Sequence, residues 1–300
     1  MSHIEKTVHP GKLLRYLIKR DGCVMVPGAF DALVARAVAR AGFEGCYISG
    51  GATANVAGYP DIGLITLTEM ARTIREIAQA SGVPVLVDAD TGYGEVECVI
   101  RTVIEYERAG AAGCHIEDQE FPKRCGHLDG KALISVEGME AKIRAASQAK
   151  IDRDFILIAR TDGRTVEGFD EAVERANRYR EAGADMIFPE GLLSEEEFAE
   201  FAKESPGLLV ANMTEFGKTP SIKAERFMEL GYGVVIFPLS MMRLAMGHVE
   251  RCLRLLKDEG TVESFRCEMQ TRKELYELLD YQPGRQWDFP GKSGRELRSE

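Results

Sequence analysis

The sequence lacks long hydrophobic runs and clusters of positive charge. No apolar stretch approaches the roughly 18 residues of a membrane span, and the segment Met1 to Lys12 is polar, without the apolar core of a signal peptide. The 38 Lys and Arg residues are outnumbered by 48 Asp and Glu residues, which gives a net charge of -10. These absences disfavour membrane and nucleic-acid partners, and we expect a cytoplasmic protein.

Two other kinds of pattern are missing. The seven cysteines are an odd number and include no Cys-x-x-Cys pair, so no disulfide framework is indicated. No Gly-x-Gly-x-x-Gly motif follows a predicted strand and no Pro/Ser-rich linker divides the chain, which disfavours a two-domain doubly wound sheet. With 300 residues, 45% of them hydrophobic and 29% charged, the chain is expected to form a single domain over residues 1–300.

What the sequence does contain is a strand-helix unit repeated along its length. Runs rich in β-branched residues predict eight strands, at Cys23–Pro27, Gly45–Ser49, Val83–Asp88, Gly113–Asp118, Phe155–Thr161, Met186–Glu190, Leu208–Met213 and Val234–Leu239. Nearly continuous hydrophobic runs of this kind are typical of parallel strands buried on both faces. Eight such units predict an α/β fold, a (β/α)8 TIM barrel, and an open doubly wound sheet is the alternative.

Helical periodicity fills the intervals between the strands. It predicts helices that include Leu67–Ala80, Val96–Ala109, Val136–Gln148, Phe169–Ala182 and Glu195–Glu204. After the eighth strand, the stretch from Met241 to about Tyr281 predicts two further helices, followed by a polar tail. Because these helices exceed what a barrel needs, we expect residues 241–300 to make subunit contacts.

Carboxylates cluster where the predicted strands end. Asp88 and Asp90 follow the third strand, Glu117 ends the fourth, and Asp61 lies in an earlier loop. Because barrel strands end at one mouth, this oxygen-only set predicts a Mg²⁺ site, for which one direct ligand and a surrounding shell suffice. The alternative is that the carboxylates cap helices and pair with cations. Zinc is disfavoured, because His115 has no partner at ligand spacing and is predicted to be packed and hydrogen-bonded.

A polar loop, Phe121–Lys131, carries a cysteine among cations. Lys123, Arg124 and His127 favour the thiolate form of Cys125, which predicts a cysteine able to exchange a proton near neutral pH. Glycines in the loop permit the motion of a lid. We expect the lid to be open and poorly ordered without a ligand, because its cations have few apolar neighbours. The alternative is an exposed loop in which the cysteine is accidental.

The order of short motifs along the chain resembles that of a known enzyme family. The motifs are Tyr47-Ile48-Ser49-Gly50-Gly51, Tyr59-Pro60-Asp61, Val87-Asp88-Ala89-Asp90-Thr91-Gly92-Tyr93-Gly94, His115-Ile116-Glu117-Asp118-Gln119, Lys123-Arg124-Cys125-Gly126-His127, Ala159-Arg160-Thr161-Asp162, Phe188-Pro189-Glu190, Asn212-Met213-Thr214-Glu215-Phe216-Gly217 and Met269-Gln270-Thr271-Arg272. Through them nearly the whole chain resembles the isocitrate lyase/phosphoenolpyruvate mutase superfamily, and within it most the 2-methylisocitrate lyases. The cysteine motif is the most specific element of this resemblance.

The resemblance implies a barrel whose last helix is exchanged between the subunits of a homotetramer. It implies a lyase that depends on Mg²⁺, with Mn²⁺ as the alternative metal, and that cleaves a carbon–carbon bond in a di- or tricarboxylate. The foremost substrate is 2-methylisocitrate, cleaved to pyruvate and succinate as in the methylcitrate cycle. Isocitrate, 2,3-dimethylmalate and oxaloacetate are alternative substrates, and carboxyphosphonoenolpyruvate mutase is an alternative activity. A non-catalytic oligomeric barrel that binds a ligand is an alternative of another class.

The resemblance also implies catalytic roles for individual residues. Cys125 would donate a proton to the carbanion carbon left by bond cleavage. The base that takes the substrate's hydroxyl proton would be Tyr47 or Glu190. Lys123 and His127 flank Cys125 in the same motif and would act beside it.

Metal and substrate contacts are implied in the same way. Mg²⁺ would bind near Asp88, with Asp90, Asp61 and Glu117 around it. One methyl group is worth only about 1–3 kcal/mol in an apolar pocket, and the resemblance places Phe188 and Ile236 in such a pocket. The residues expected to bind the substrate are Ser49, Gly50, Gly51, Gly126, Arg160, Phe188, Asn212, Met213, Thr214, Ile236, Arg243 and Arg272.

Overall fold

Eight parallel strands form the centre of the fold in the computed structural model, which describes residues 8–126, 128 and 130–288. They are β1 (Val24–Pro27), β2 (Cys46–Ile48), β3 (Val85–Asp88), β4 (Gly113–Glu117), β5 (Ile156–Thr161), β6 (Met186–Pro189), β7 (Val210–Asn212) and β8 (Val234–Phe237). Each strand lies within a run predicted from the sequence. Their residues are buried almost without interruption, which explains why no hydrophobic alternation marks them.

The strands close into a ring. Parallel hydrogen-bonded pairing runs in the order β2-β3-β4-β5-β6 along one arc and β1-β8-β7 along the other. Single bridges, between Gly28 and Tyr47 and between Ile187 and Leu209, join the two arcs. The predicted barrel is therefore confirmed, and the open sheet is the wrong alternative.

Helices surround the ring. They are α1 (Pro10–Asp21), α2 (Ala32–Arg40), α3 (Gly50–Val56), α4 (Leu67–Ser81), α5 (Val96–Ala109), α6 (Val136–Ala149), α7 (Gly163–Val166), α8 (Phe169–Glu181), α9 (Glu195–Glu204), α10 (Ala224–Glu229), α11 (Ser240–Glu259) and α12 (Arg272–Leu278). The five predicted helices between strands end within one residue of their predicted bounds. Between α5 and β4, Gly110 takes the left-handed conformation, at φ 103°, that a helix C-terminus favours.

The barrel interior is filled with apolar side chains below its mouth. Leu86, Ile158 and Ile236 belong to a cluster that also includes Leu14 and Leu17 of α1. The sequence analysis does not predict α1, whose apolar face closes the bottom of the barrel. The filled interior leaves only the C-terminal ends of the strands open to a ligand.

The C-terminal helices α11 and α12 fall where two further helices are predicted. None of the residues of α11, all of which the structure describes, is buried in the single chain. Its exposed apolar side chains are Met241, Leu244, Met246, Val249, Leu253 and Leu256. These apolar side chains are therefore uncovered within the single chain. Among the described residues, no helix has both the length and the apolar character that crossing a membrane requires.

Candidate active site

The C-terminal ends of the strands enclose a cavity of about 50 Å³ at the barrel mouth. The predicted site residues that line it are Tyr47, Ser49, Gly51, Asp61, Asp88, Lys123, Cys125, Gly126, Arg160, Phe188, Glu190, Asn212, Thr214 and Ile236. The loop that contains Cys125 contributes part of this lining, so the cavity is much smaller than the roughly 300–1,000 Å³ of ligand pockets. A tricarboxylate could enter only if this loop moves.

The N-terminus of α3 brings two glycines against the carboxylates. The backbone N–H of Gly50 donates to Asp88 Oδ2 at 3.0 Å. A Cβ at Gly50 would lie 3.0 Å from both Asp88 Oδ2 and Asp90 Oδ1, and one at Gly51 would lie 3.0 Å from Asp61 Oδ2. Side chains at these two positions would push the carboxylates away, so glycine permits their close approach.

Lys123 lies among the same carboxylates. Its Nζ contacts Asp61 and lies 2.8 Å from Asp90 Oδ1, and its side chain is 4% exposed. Burial alone would lower the pKa of Lys123, but the charges of Glu117, Asp90 and the neighbouring aspartates raise it well above its usual value. Lys123 is therefore a permanent positive charge at the mouth. Burial, together with the charge of Asp88, raises the pKa of Asp90 to about 6.

Asp88 faces a buried aromatic pair. The hydroxyl of Tyr47 and Nε2 of His115 are 2.6 Å apart, and the edge of His115 packs against Phe188. Burial lowers the pKa of His115 to about 4 and raises that of Tyr47 well above 10. Both groups are therefore neutral near pH 7, and the prediction of a packed, hydrogen-bonded His115 is confirmed.

The carboxylate group fits a hard divalent cation that keeps bound waters. Burial raises the pKa of Asp88, but the positive charges of His115 when protonated, Lys123 and Arg160 outweigh it and hold the pKa below its usual value. Among the described residues, Glu117 Oε1 is buried without a hydrogen-bond partner. Over residues 8–126, 128 and 130–288, no three His, Cys, Asp or Glu side chains are grouped so that they alone could hold a metal ion. An oxygen-only set with one ionised carboxylate and an unpaired oxygen suits Mg²⁺, which needs few protein ligands.

The part of the cavity wall at the end of β5 is built around Arg160. Its Nε lies 3.0 Å from Asp162 Oδ2 and 3.4 Å from Glu117 Oε2, and its NH1 lies 3.7 Å from Glu190 Oε2. The guanidinium also lies over the ring of Phe188, 5.2 Å from its centroid. These contacts hold the guanidinium in one orientation, which suits a carboxylate-binding group.

Two polar atoms on the same wall have no hydrogen-bond partner among the described residues. They are Oδ1 of Asn212 and Oγ1 of Thr214, both buried. The amide of Asn212 donates to Glu190 Oε2 at 3.2 Å, which turns the free oxygen of Asn212 away from Glu190. Buried polar groups are rarely left unpaired without a functional reason, so these two atoms are candidates to contact a ligand.

The loop over the mouth is closed, contrary to the expectation of an open, poorly ordered lid. The side-chain amide of Gln119 donates to the carbonyl of Arg124 at 2.9 Å and accepts from its N–H at 2.9 Å. Lys123 pairs with mouth carboxylates, and Lys131 pairs with Asp162 at 2.7 Å. The expectation assumed that the loop cations have no anionic partners without a ligand. It is wrong because carboxylates of the barrel pair with Lys123 and Lys131. His127 lies outside the described residues.

Four residues expected to bind the substrate do not line the cavity. Gly50 lies behind the lining, with its backbone N–H on Asp88. Met213 follows β7 and is buried in the core, because side chains alternate there and its two neighbours line the cavity. Arg243 lies on α11, 3.1 Å from Glu215 Oε2. Arg272 is the exposed first residue of α12. Neither arginine reaches the mouth within one chain, because both lie on the helices that follow the barrel.

The sequence analysis assigns no role to Asp162, although it follows the fifth strand. This carboxylate pairs with both Arg160 and Lys131. Its backbone N–H donates to Asp118 Oδ1 at 2.9 Å, and Asp118 Oδ2 accepts from Thr161 at 2.8 Å. The position of Asp162 at a strand end could have indicated a functional role. No local sequence pattern identifies Arg160 and Lys131 as its partners.

Comparison with known proteins places the chain in a family. A family model for phosphoenolpyruvate phosphomutase matches residues 14–257. The crystal structure of a 2,3-dimethylmalate lyase, a member of the PEP mutase/isocitrate lyase superfamily, is similar with a TM-score of 0.85 and 38% identity, over 90% of this chain and 91% of that one. The chain belongs to this superfamily. The resemblance stated from the sequence motifs is thereby confirmed.

Several relatives within the superfamily are named 2-methylisocitrate lyases. A 2-methylisocitrate lyase of Aeropyrum pernix is 51% identical over 277 residues, which cover 92% of this chain and 89% of the relative. A probable 2-methylisocitrate lyase 1 of Corynebacterium glutamicum is 52% identical over 258 residues, covering 86% and 85%. A solved superfamily structure, a phosphonopyruvate hydrolase in complex with oxalate and Mg²⁺, has a TM-score of 0.82 and 30% identity, over 90% of this chain and 95% of that one.

Proposed function

We propose that the protein is a Mg²⁺-dependent lyase that cleaves 2-methylisocitrate to pyruvate and succinate. The observation that carries the proposal is that Cys125, Asp88 and Arg160 line one cavity. A thiol, an ionised carboxylate and a carboxylate-binding cation are what cleavage of a 2-hydroxy acid to an oxo acid and a carbanion requires. The names of the relatives at 51% and 52% identity support this substrate.

The metal would be held at Asp88, with Asp90 and Glu117 orienting it through waters. When bound, Mg²⁺ polarises the substrate's hydroxyl and the adjacent carboxylate. The hydroxyl of Ser49 and the backbone N–H of Gly51 line the cavity and would donate hydrogen bonds to that carboxylate. Mn²⁺ offers the same oxygen chemistry and is the alternative metal.

Glu190 is the better candidate for the base that takes the hydroxyl proton. Its carboxylate lines the cavity and is oriented by the amide of Asn212 at 3.2 Å. The pKa of Tyr47 is raised well above 10 by burial and the nearby charge of Asp88, so its phenol keeps its proton and would act as a hydrogen-bond donor. Tyr47 and Glu190 are both candidates from the sequence, and these observations support the division of roles proposed here.

The fragment that departs carries negative charge and needs hydrogen-bond donors. Arg160, Asn212 and the hydroxyl of Thr214 line the cavity and would supply them. Cys125 then breaks its S–H bond as the carbanion carbon forms a new C–H bond, while the hydroxyl proton has gone to Glu190. Exchange with solvent restores both groups.

Phe188 and Ile236 give the cavity its apolar part, where the methyl group of the substrate would lie. Phe188 is held in place by Arg160 over its ring and His115 at its edge. An added methyl contributes only about 1–3 kcal/mol to discrimination. Dimethylmalate therefore stays a competing substrate, which the 38% identity to a solved 2,3-dimethylmalate lyase also favours.

The proposal is tested by product analysis of the purified protein. With 2-methylisocitrate and Mg²⁺ we expect one pyruvate and one succinate per substrate consumed, measured by chromatography. Excess EDTA should stop the reaction and excess Mg²⁺ should restore it. No 2-oxo acid under these conditions would favour the non-catalytic ligand-binding barrel. A cytoplasmic location stays a prediction from the sequence.

We also propose that α11 packs against another copy of the chain, as the resemblance to a helix-exchanging homotetramer implies. The support is its uncovered apolar face. Replacing Leu244 and Leu253, both more than half exposed in the single chain, by Asp should dissociate the oligomer, because the charges would be buried in the contact. Sedimentation velocity measures this, and Leu128→Asp, an exposed leucine of the loop, is the control. An oligomer of unchanged size in the double variant would contradict the proposal.

A further inference from the structure

Lys131 fastens the C-terminal end of the Cys125 loop to the barrel mouth. Its Nζ lies 2.7 Å from Asp162 Oδ1 and also donates to the carbonyl of Gly126. The Lys131 side chain is 1% exposed and the Asp162 side chain is fully buried. One buried cation therefore ties the residue that follows Cys125 to the end of β5.

The backbone at Gly126 lies directly on the wall of the site. A Cβ at this position would overlap the guanidinium of Arg160 and the side chain of Glu190, so only glycine allows the loop to come this close. The hydrogen bond from Lys131 fixes the carbonyl of Gly126 in this place. Because Cys125 precedes Gly126 in the chain, the same bond limits where its thiol can lie.

Asp162 is shared between the loop and the substrate-binding wall. One carboxylate oxygen accepts from Arg160 Nε at 3.0 Å, and the other contacts both Arg160 NH2 at 3.3 Å and Lys131. A substrate carboxylate on Arg160 would offset part of the positive charge that attracts Asp162. It would thereby weaken the repulsion between Arg160 and Lys131, two cations that share the Asp162 carboxylate, which favours the closed loop when substrate is bound.

We propose that Lys131 is a positioning residue for Cys125, and that Asp162 couples its hold on the loop to carboxylate binding at Arg160. The effect on the loop rests on the geometry just described. The effect on turnover rests in addition on the proposed function. The two are therefore measured separately.

The loop is tested without any substrate. Lys131→Met keeps the length of the side chain and leaves Asp162 paired with Arg160, so no buried charge is left alone. We expect Cys125 to be alkylated by iodoacetamide at least about tenfold faster, which corresponds to about 1.4 kcal/mol of lost closure, as followed by mass spectrometry of its peptide. Lys131→Arg keeps the charge and should retain most of the protection.

Lys150→Met is the matched control. Lys150 also pairs with a carboxylate, that of Asp185, and its side chain is 10% exposed, but it lies outside the mouth cavity. The alkylation rate of Cys125 should match that of the wild type. If Lys131→Met does not fold, Lys131→Gln, judged by the same rate and by thermal melting, decides the question.

Measurements of kcat and KM distinguish a positioning role of Lys131 from a merely structural one. In Lys131→Met, kcat should fall about 10²-fold, the cost of a misplaced catalytic group, with KM nearly unchanged. Asp162→Asn should lower kcat and also raise KM, because Arg160 loses the carboxylate that orients it. A drop in melting temperature without this difference would indicate that Lys131 only stabilises the fold.

Unchanged alkylation and unchanged kcat in Lys131→Met would overturn the inference, as would equal acceleration in Lys150→Met. If the wild type cleaves no 2-methylisocitrate but Lys131→Met still exposes Cys125, the proposed function fails and the role of Lys131 in holding the loop stands. If the wild type is active and the alkylation rates are equal, the function stands and the inference fails.

Discussion

Replacing Asp88 by Ala is expected to reduce turnover of 2-methylisocitrate by at least about 10³-fold, and added Mg²⁺ should not restore it. Asp88 combines direct access to the cavity with a pKa held below its usual value by neighbouring cations. Loss of the metal removes several kcal/mol of charge stabilisation, and each 1.36 kcal/mol is worth about tenfold in rate. Steady-state kinetics over a range of Mg²⁺ concentrations measures the effect.

Asp90→Asn and Glu117→Gln serve as matched controls for Asp88→Ala. Both carboxylates lie behind the cavity lining, and we expect each variant to weaken metal binding by about 10–100-fold, as for residues that orient a ligand. High Mg²⁺ should therefore rescue them, unlike Asp88→Ala. Wild-type activity that survives strong chelation would contradict the metal site itself.

Replacing Cys125 by Ser is expected to lower kcat by about 10²–10⁴-fold, the range for a lost general acid. KM should change little, because the substrate-binding groups Arg160, Asn212 and Thr214 are untouched. A serine hydroxyl occupies the same place but gives up its proton far less readily than a thiol near neutral pH. Initial rates at saturating substrate separate the two constants.

Cys98→Ser controls for effects of losing a thiol in general. Cys98 is exposed on α5 and does not line the mouth cavity. Its variant should keep the wild-type kcat. Near-wild-type turnover in Cys125→Ser would remove Cys125 from the proposed mechanism and leave the proton donor to be found elsewhere in the mouth.

The barrel and its mouth could be predicted because their signals are local. β5 is a run of six buried residues, Ile156–Thr161, and such a run reports burial on both faces without knowledge of its neighbours. Polar residues at strand ends, such as Asp88 and Glu190, predict one site because parallel barrel strands end at the same rim. The exclusion of Met213 from the cavity could also have been predicted, since side-chain alternation continued past the end of β7 directs Met213 away from Asn212 and Thr214.

The closed loop could not be predicted in this way. The sequence shows the positive charges of the loop, but their partners are far away in the chain, such as Asp61 for Lys123 and Asp162 for Lys131. Whether a surface cation finds a partner depends on distances that only the folded barrel defines. For the same reason, the resemblance that implies substrate contacts for Arg243 and Arg272 does not reveal that both lie away from the mouth within one chain.

The most direct test of the account is a comparison of kcat/KM for four substrates with the Mg²⁺-loaded wild-type protein. 2-Methylisocitrate, isocitrate, 2,3-dimethylmalate and oxaloacetate are assayed in parallel through the formation of their oxo-acid or carboxylate products. The account predicts the highest value for 2-methylisocitrate, with isocitrate lower by about 10–200-fold, the worth of one methyl group in an apolar pocket. A higher kcat/KM for dimethylmalate or oxaloacetate would contradict the proposed substrate, and no turnover of any of the four would contradict the lyase.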